Sequence, residues 1–176
     1  MPKKILQKES PVLRKIAESI PISEVTSQKI QRVIAEMKAA LASQEDGVAI
    51  AAPQIGYPLR IFVVSGKVAV LQKKSKEPVS NMVYINPVIL KLSKEKTSVE
   101  EGCLSVRYLY GKVERASKTT IEALDENGKK FRKGASGLMA QIFQHETDHL
   151  NGILFVDKAK YLEEIKPEKQ QVAASS

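Results

Sequence analysis

The sequence predicts an α+β fold: small antiparallel or mixed β-sheets packed around a central helix that carries a candidate metal site, with an amphipathic helix nearer the N-terminus. Three observations carry that prediction. Apolar residues recur at helical spacing in two stretches, 28–43 and 137–150. The strand-like runs between them follow one another directly, whereas a parallel sheet would alternate them with helices. The chain's two histidines fall inside the second helical stretch, four residues apart, in His145-Glu146-Thr147-Asp148-His149.

Each element has its own signal. Ile30, Val33, Ile34, Met37 and Leu41 lie on one face of a helix over Gln28–Ser43, with Ser27 as N-cap and Asp46-Gly47 as its end. Gly47–Gly56 is small, apolar and bracketed by glycines. Arg60–Ser65 reads as a buried strand. Val83–Leu90 reads as another, with Pro87 marking an edge or a bulge because proline cannot donate to a ladder. Between them, Gly66–Met82 carries Lys, Ser and Pro, which predicts an exposed loop with a short strand at Val68–Leu71. Gly111–Ala116 and Thr119–Leu124 are strand-like, and Asn127-Gly128 signals a hairpin that returns through Lys129–Arg132. The second helix spans Gly137 to Leu150 and stops at Asn151-Gly152. Leu154–Val156 follows as a short strand. Lys158–Lys169 is a modest helix at best, and the polar tail from Glu168 is expected to fray. Residues 1–165 are expected to form a single domain, with 166–176 as a tail.

Composition narrows the function classes. The 176 residues are 43% hydrophobic but only 5% aromatic, with no Trp, so the core must be aliphatic. No apolar run reaches the roughly 20 residues of a membrane span, and no signal-peptide core follows Met1-Pro2-Lys3-Lys4. One cysteine excludes an intrachain disulfide. Together these predict a cytoplasmic protein with no membrane partner. The net charge of +8 attracts anionic partners at long range. Lys67, Lys73, Lys74 and Lys76 cluster without interleaved aromatics, so no sequence-specific nucleic acid binding is expected. The ribosome, rich in RNA, stays open as a partner.

The chemistry concentrates in three residues. At i and i+4 of a helix, His145 and His149 share one face and can reach one divalent ion, with Glu146 beside it as a candidate general base. Leu138 and Ile142 continue that stripe inward. Cys103, in Glu100-Glu101-Gly102-Cys103-Leu104-Ser105, is the only other soft or borderline ligand, and its neighbours suggest a site-facing turn. Three protein ligands with an open fourth position describe a catalytic metal that activates water, while Glu146 moves the proton. That is chemistry for hydrolysing an amide. An H-E-x-x-H endopeptidase is a rival reading, but such proteins usually take their third ligand downstream, and no His follows His149. A basic, RNA-associated module without activity is the other rival.

Gly47–Gln54, Glu101–Ser105 and His145–His149 resemble, in order, the G-x-G-x-A-A-x-Q, E-G-C-x-S and H-E-x-D-H strings of the peptide deformylase family, over roughly residues 5 to 158. The resemblance implies removal of the formyl group from N-formylmethionine of new polypeptides, giving formate and a free amine. It implies Cys103, His145 and His149 as metal ligands, Fe²⁺ as the ion with Zn²⁺, Ni²⁺ or Co²⁺ able to substitute, and Glu146 as general acid/base. It implies that the Gln54 amide and the Leu104 backbone N–H hold the formyl oxygen, and that Gly47 lets the chain pass close to the metal pocket. Val48, Ala49, Leu138 and Ile142 are expected to line an apolar pocket for the methionine side chain. Two departures stand out. Ala49 replaces the second glycine of the first string, and Arg107-Tyr108 stands where the family usually has Pro-Gly.

Overall fold

A computed structural model describes residues 1–167. In chain order the named elements are α1 (Gln28–Ala42), β1 (Ala49–Ala51), β2 (Ile61–Val64), α2 (Lys67–Leu71), β3 (Met82–Leu92), β4 (Lys96–Cys103), β5 (Val106–Ala116), β6 (Lys118–Leu124), β7 (Lys130–Ser136), α3 (Gly137–Leu150) and β8 (Lys160–Glu164), with short 3₁₀ turns between some of them. The strands form a five-stranded sheet, β1-β2-β3-β6-β7, and a three-stranded sheet, β4-β5-β8. Every pairing between these strands is antiparallel. The fold is α+β, as predicted.

Strand alternation explains why one helix lies on each face of the larger sheet. Successive side chains of a strand point to opposite faces. Ile50, Ile61, Val63, Val83 and Ile85 point one way and pack with Ile30, Val33, Ile34, Met37 and Leu41 of α1. Ala49, Ala51, Phe62, Val64 and Tyr84 point the other way and pack with Ile142, Phe143 and Leu150 of α3. β2 is therefore buried on both faces, which is why it reads as a continuous apolar run. Burying each large aliphatic side chain contributes roughly 1.5–3 kcal/mol. A third cluster, Leu13, Val106, Val113, Leu154 and Phe155, lies under the smaller sheet.

The helices end where expected. Ser27 Oγ accepts from the Ile30 N–H at 3.3 Å, capping α1. After α3, Gly152 takes φ +75°, and a Cβ there would lie 2.6 Å from the Arg14 carbonyl oxygen, so this stop needs glycine twice over. Pro87 sits at a register shift between Ile85 and Val88 inside β3, a bulge on an interior strand and not an edge.

Three local expectations are corrected. Val68–Leu71 lies in helix α2 and joins neither sheet, and only Val68 is buried there. Leu154–Val156 runs into a 3₁₀ turn at Phe155–Asp157, closed by Asp157 Oδ2 accepting from the Leu154 N–H at 3.0 Å. Lys158–Lys169 contains strand β8 in place of a helix, paired to β5 through Leu109↔Glu164 and Tyr110↔Glu163; Glu168 and Lys169 lie outside the described residues, as does the polar tail that follows. The Asn127-Gly128 hairpin forms as expected, through a five-residue loop, Asp125 to Lys129, in which Asp125 Oδ1 accepts from the Asn127 and Lys129 N–H groups. No described helix is long and apolar enough to cross a membrane.

Candidate metal centre

α3 packs against the larger sheet through Phe143 and Leu150, and this docking aims His145 and His149 toward the end of β4. Cys103 is the last residue of β4, beside a bulge where the register slips between Glu101 and Cys103. The bulge re-aims the side chain, so the sulfur meets the histidine pair. The ligand atoms of Cys103, His145 and His149 all lie within 4.8 Å of one another. Cys103 Sγ is 3.3 Å from His149 Nε2. Backbone N–H of Ser105 and the Gln54 amide also aim at Sγ, at 3.4 and 3.7 Å.

The electrostatics suit a divalent cation. His145 Nδ1 lies 2.8 Å from Glu101 Oε1. A carboxylate there can only accept, so Nδ1 carries the proton and Nε2 is left as the ligand atom. Burial alone would lower the His145 pKa, but hydrogen bonding with Cys103 and Glu101 raises it well above the usual value. Burial pushes His149 the other way, well below it, and keeps that ring neutral. Burial also lifts the Glu146 carboxyl to about 7. Glu146 Oε2 and His149 Nδ1 are buried with no hydrogen-bond partner among the described residues. Of these, Glu146 Oε2 belongs to a residue that lines the cavity with Cys103 and His145, where a water or another group would complete its bonding. One thiol, two imidazoles and an orphaned carboxylate oxygen fit a bound metal and a water.

Beneath the ligands lies a buried ion network. Arg115, 3% exposed at its side chain, donates through Nε and Nη2 to both Glu101 oxygens at 2.7 and 2.8 Å, and through Nη1 to Asp148 at 2.7 Å. Lys158 completes the charge balance on Asp148 at 3.0 Å. Two arginine bonds in a fork are strong and directional. They fix β5 to β4 and to α3, and so fix the carboxylate that orients His145.

A cavity of about 500 Å³ opens at this point. Cys103, His145 and Glu146 line it, as do Gly47, Val48, Ala49, Gln54 and Leu104. His149, 1% exposed, is reached from behind Cys103. The structure does not bring Leu138 or Ile142 to this cavity. Leu138 lines a neighbouring cleft of about 230 Å³ with Val99 and Gln141, and Ile142 is packed in the core. Ala49 sits in β1 and is not among the positive-φ residues, so its methyl carries no backbone penalty. A Cβ at Gly47 would press on Leu41, Gln44 and Leu104 at 3.1–3.2 Å, which explains glycine by packing. Gln54 is held by two bonds: its Oε1 accepts from the Ala51 N–H at 2.8 Å, and its Nε2 donates to Ser105 Oγ at 3.0 Å.

Comparison with known proteins agrees with this geometry. The family model described as "Polypeptide deformylase" matches residues 2–164. The chain belongs to the peptide deformylase family. It is 41% identical to the peptide deformylase of Psychrobacter cryohalolentis over 162 residues, covering 92% of this chain and 80% of that one. Its fold matches the crystal structure of a peptide deformylase from Legionella pneumophila with TM-score 0.77 and 37% identity, over 99% of this chain and 92% of that one. It matches the Met-Ala-Ser-bound class I type b peptide deformylase of Acinetobacter baumannii with TM-score 0.79 and 32% identity, over 90% and 99%.

Arg115 was invisible in the sequence, since nothing in its spacing links it to residues 14 and 33 positions away. Glu101 and Asp148 stood inside the motif strings but without a role. Only the fold shows that they hold one arginine between them.

Proposed function

We propose that this chain is a metal-dependent hydrolase that removes the formyl group from N-formylmethionyl nascent peptides, releasing formate and a free N-terminal amine. The observation that carries the reading is the convergence of Cys103, His145 and His149 on one point beside the orphaned Glu146 carboxylate, in a chain of this family. A divalent ion held by those three side chains would supply Lewis acidity and make water nucleophilic near neutral pH.

The chain's own residues supply the rest. Glu146, with its carboxyl lifted to about 7, can take a proton from water and pass it to the departing amine near neutral pH. Gln54, pinned by the Ala51 N–H and Ser105, offers its amide to the formyl oxygen together with the Leu104 backbone N–H. Glu101 fixes the tautomer and tilt of His145. Val48 and Ala49 line the cavity where an apolar methionine side chain would lie, with Gly47 entering it; Leu138 and Ile142 would support that pocket from the adjoining layer. Membership of the peptide deformylase family favours Fe²⁺; the donor set by itself does not choose between Fe²⁺ and Zn²⁺, Ni²⁺ or Co²⁺. A thiol ligand favours a reducing compartment, in keeping with the cytoplasm. The +8 charge supports the ribosome as a source of substrate.

The test is formate release from formyl-Met-Ala by protein loaded with iron under anaerobic conditions, set against cleavage of an internal peptide bond. Deformylation alone is expected. Glu146→Ala should keep the metal and lose about 10²- to 10⁴-fold in turnover. Cleavage of the internal bond, or full turnover by the Glu146 variant, would overturn the reading.

A further inference from the structure

The cavity beside the candidate metal centre has two walls, both distant in sequence. One is the segment Asp46 to Ala49, entering β1. The other is the turn Leu104–Ser105 that joins β4 to β5, continued by the start of β5 from Val106 to Tyr108. Arg107 spans them. Its Nη1 donates to Asp46 Oδ2 at 2.8 Å, and its Nη2 donates to Gln44 Oε1. Asp46 and Arg107 both line the cavity. The turn and the start of β5 are held at several points. Gln7 Oε1 accepts from the Arg107 backbone N–H at 3.2 Å, and Gln7 Nε2 donates to the Leu104 carbonyl at 3.0 Å. Tyr108 takes φ +71°, a conformation unfavourable for a bulky residue, and its carbonyl accepts from the Ile165 N–H at 2.8 Å. A strained residue persists only where its surroundings hold it.

The guanidinium is already committed to Asp46 and Gln44, which argues against its acting as a direct receptor for a substrate carboxylate. Resting on the deformylase reading above, we infer that Arg107 is a positioning residue that determines specificity. By tying the turn after Cys103 to the loop before Gly47, it fixes the width of the cleft, and so sets affinity for the peptide beyond its first residue while leaving the chemistry at the metal untouched.

The experiment compares Arg107→Ala and Asp46→Asn with the parent, using metal-loaded protein and formyl-Met-Ala-Ser. Both groups are partly exposed, so the folded state should survive either change. Each variant should raise KM by roughly three- to tenfold with kcat within about twofold, because each removes the ion pair that joins the two walls. The charge swap Arg107→Asp with Asp46→Arg should recover much of the loss. Binding of the product Met-Ala-Ser by calorimetry gives a readout independent of turnover and should weaken in parallel. Unchanged KM and product affinity in both single variants would overturn the inference. So would a loss in Arg107→Ala that Asp46→Asn does not share, since the guanidinium would then be touching peptide directly. Failure of the parent to release formate would sink the deformylase reading instead, and the calorimetric comparison would still decide the tie.

Discussion

Helices α1 and α3 press on opposite faces of one sheet, and both are legible from the same 3.6-residue period, yet they are built for different ends. The buried face of α1 is wholly apolar: Ile30, Val33, Ile34, Met37, Ala40 and Leu41. The buried face of α3 interleaves Ala140, Ile142, Phe143 and Leu150 with Gln144, Glu146 and His149. An apolar face is held by area and shape, and similar volumes can substitute. A buried polar face needs a partner for each group, found on another element. Gln144 shows this: its amide exchanges bonds with both the N–H and the carbonyl of Ala116, each at 2.9 Å. His145 shows it through Glu101. Three buried atoms of α3 are left over, Glu146 Oε2, Thr147 Oγ1 and His149 Nδ1, and two of them belong to residues of the candidate site. Burial that area does not explain is where the chemistry lies.

The largest effect that sharpens this contrast is expected from the polar side. Cys103→Ala should drop bound metal from about one per chain to near zero by elemental analysis, with turnover lost, while far-ultraviolet circular dichroism stays unchanged. The fold survives because Phe143 and Leu150 still seat α3 on the sheet. Retained metal with a normal rate would break the ligand assignment. The counterpart on α1 is Met37→Ala, at a side chain with no exposure. It should cost about 2–5 kcal/mol in urea unfolding, with metal content unaltered.

The contrast also explains what was legible in the sequence. Both helices were, because periodicity, Ser27 and Gly152 are local signals. β2 was, because burial on both faces makes Ile61–Val64 uniformly apolar. β4 was not. Most of Lys96–Glu100 is exposed, so no apolar alternation marks it, and its strand is made by pairing with β5. β8 is exposed at all five residues and is stabilised in the same way. Within the site, the three metal-ligand candidates announced themselves by residue type and spacing. Arg115 and the Arg107–Asp46 tie could not, since they join positions that only tertiary folding brings together.

A smaller effect tests the network under α3. Burial alone would raise the Glu101 pKa, but hydrogen bonds from Arg115 and His145 outweigh it and hold the carboxyl at about 2. The pKa is lower in the folded state than the unfolded value of 4.5, so the stabilisation is fully present above pH 4.5. It is lost as pH falls from there toward 2. The full loss is on the order of 3 kcal/mol. Unfolding measured across that window should therefore steepen with acid, and Glu101→Gln should flatten the slope. An equal slope in both proteins would show that the carboxylate is not the group responsible. The buried face of α1 carries no titrating group and contributes nothing to this dependence.

The smallest effect lies at the start of α1. Ser27 Oγ satisfies one of the four N–H groups that a helix start leaves unpaired. Ser27→Ala should lower stability by about 1 kcal/mol, read from the urea midpoint at constant m-value. Metal content, kcat and KM should not move, because no side chain of α1 is among those lining the cavity. A change in KM with this substitution would mean that α1 and the cleft are coupled, through Gln44 at the far end of the helix and its bond to Arg107. The apolar helix would then be part of the recognition apparatus, and the division between the two faces of the sheet would fail.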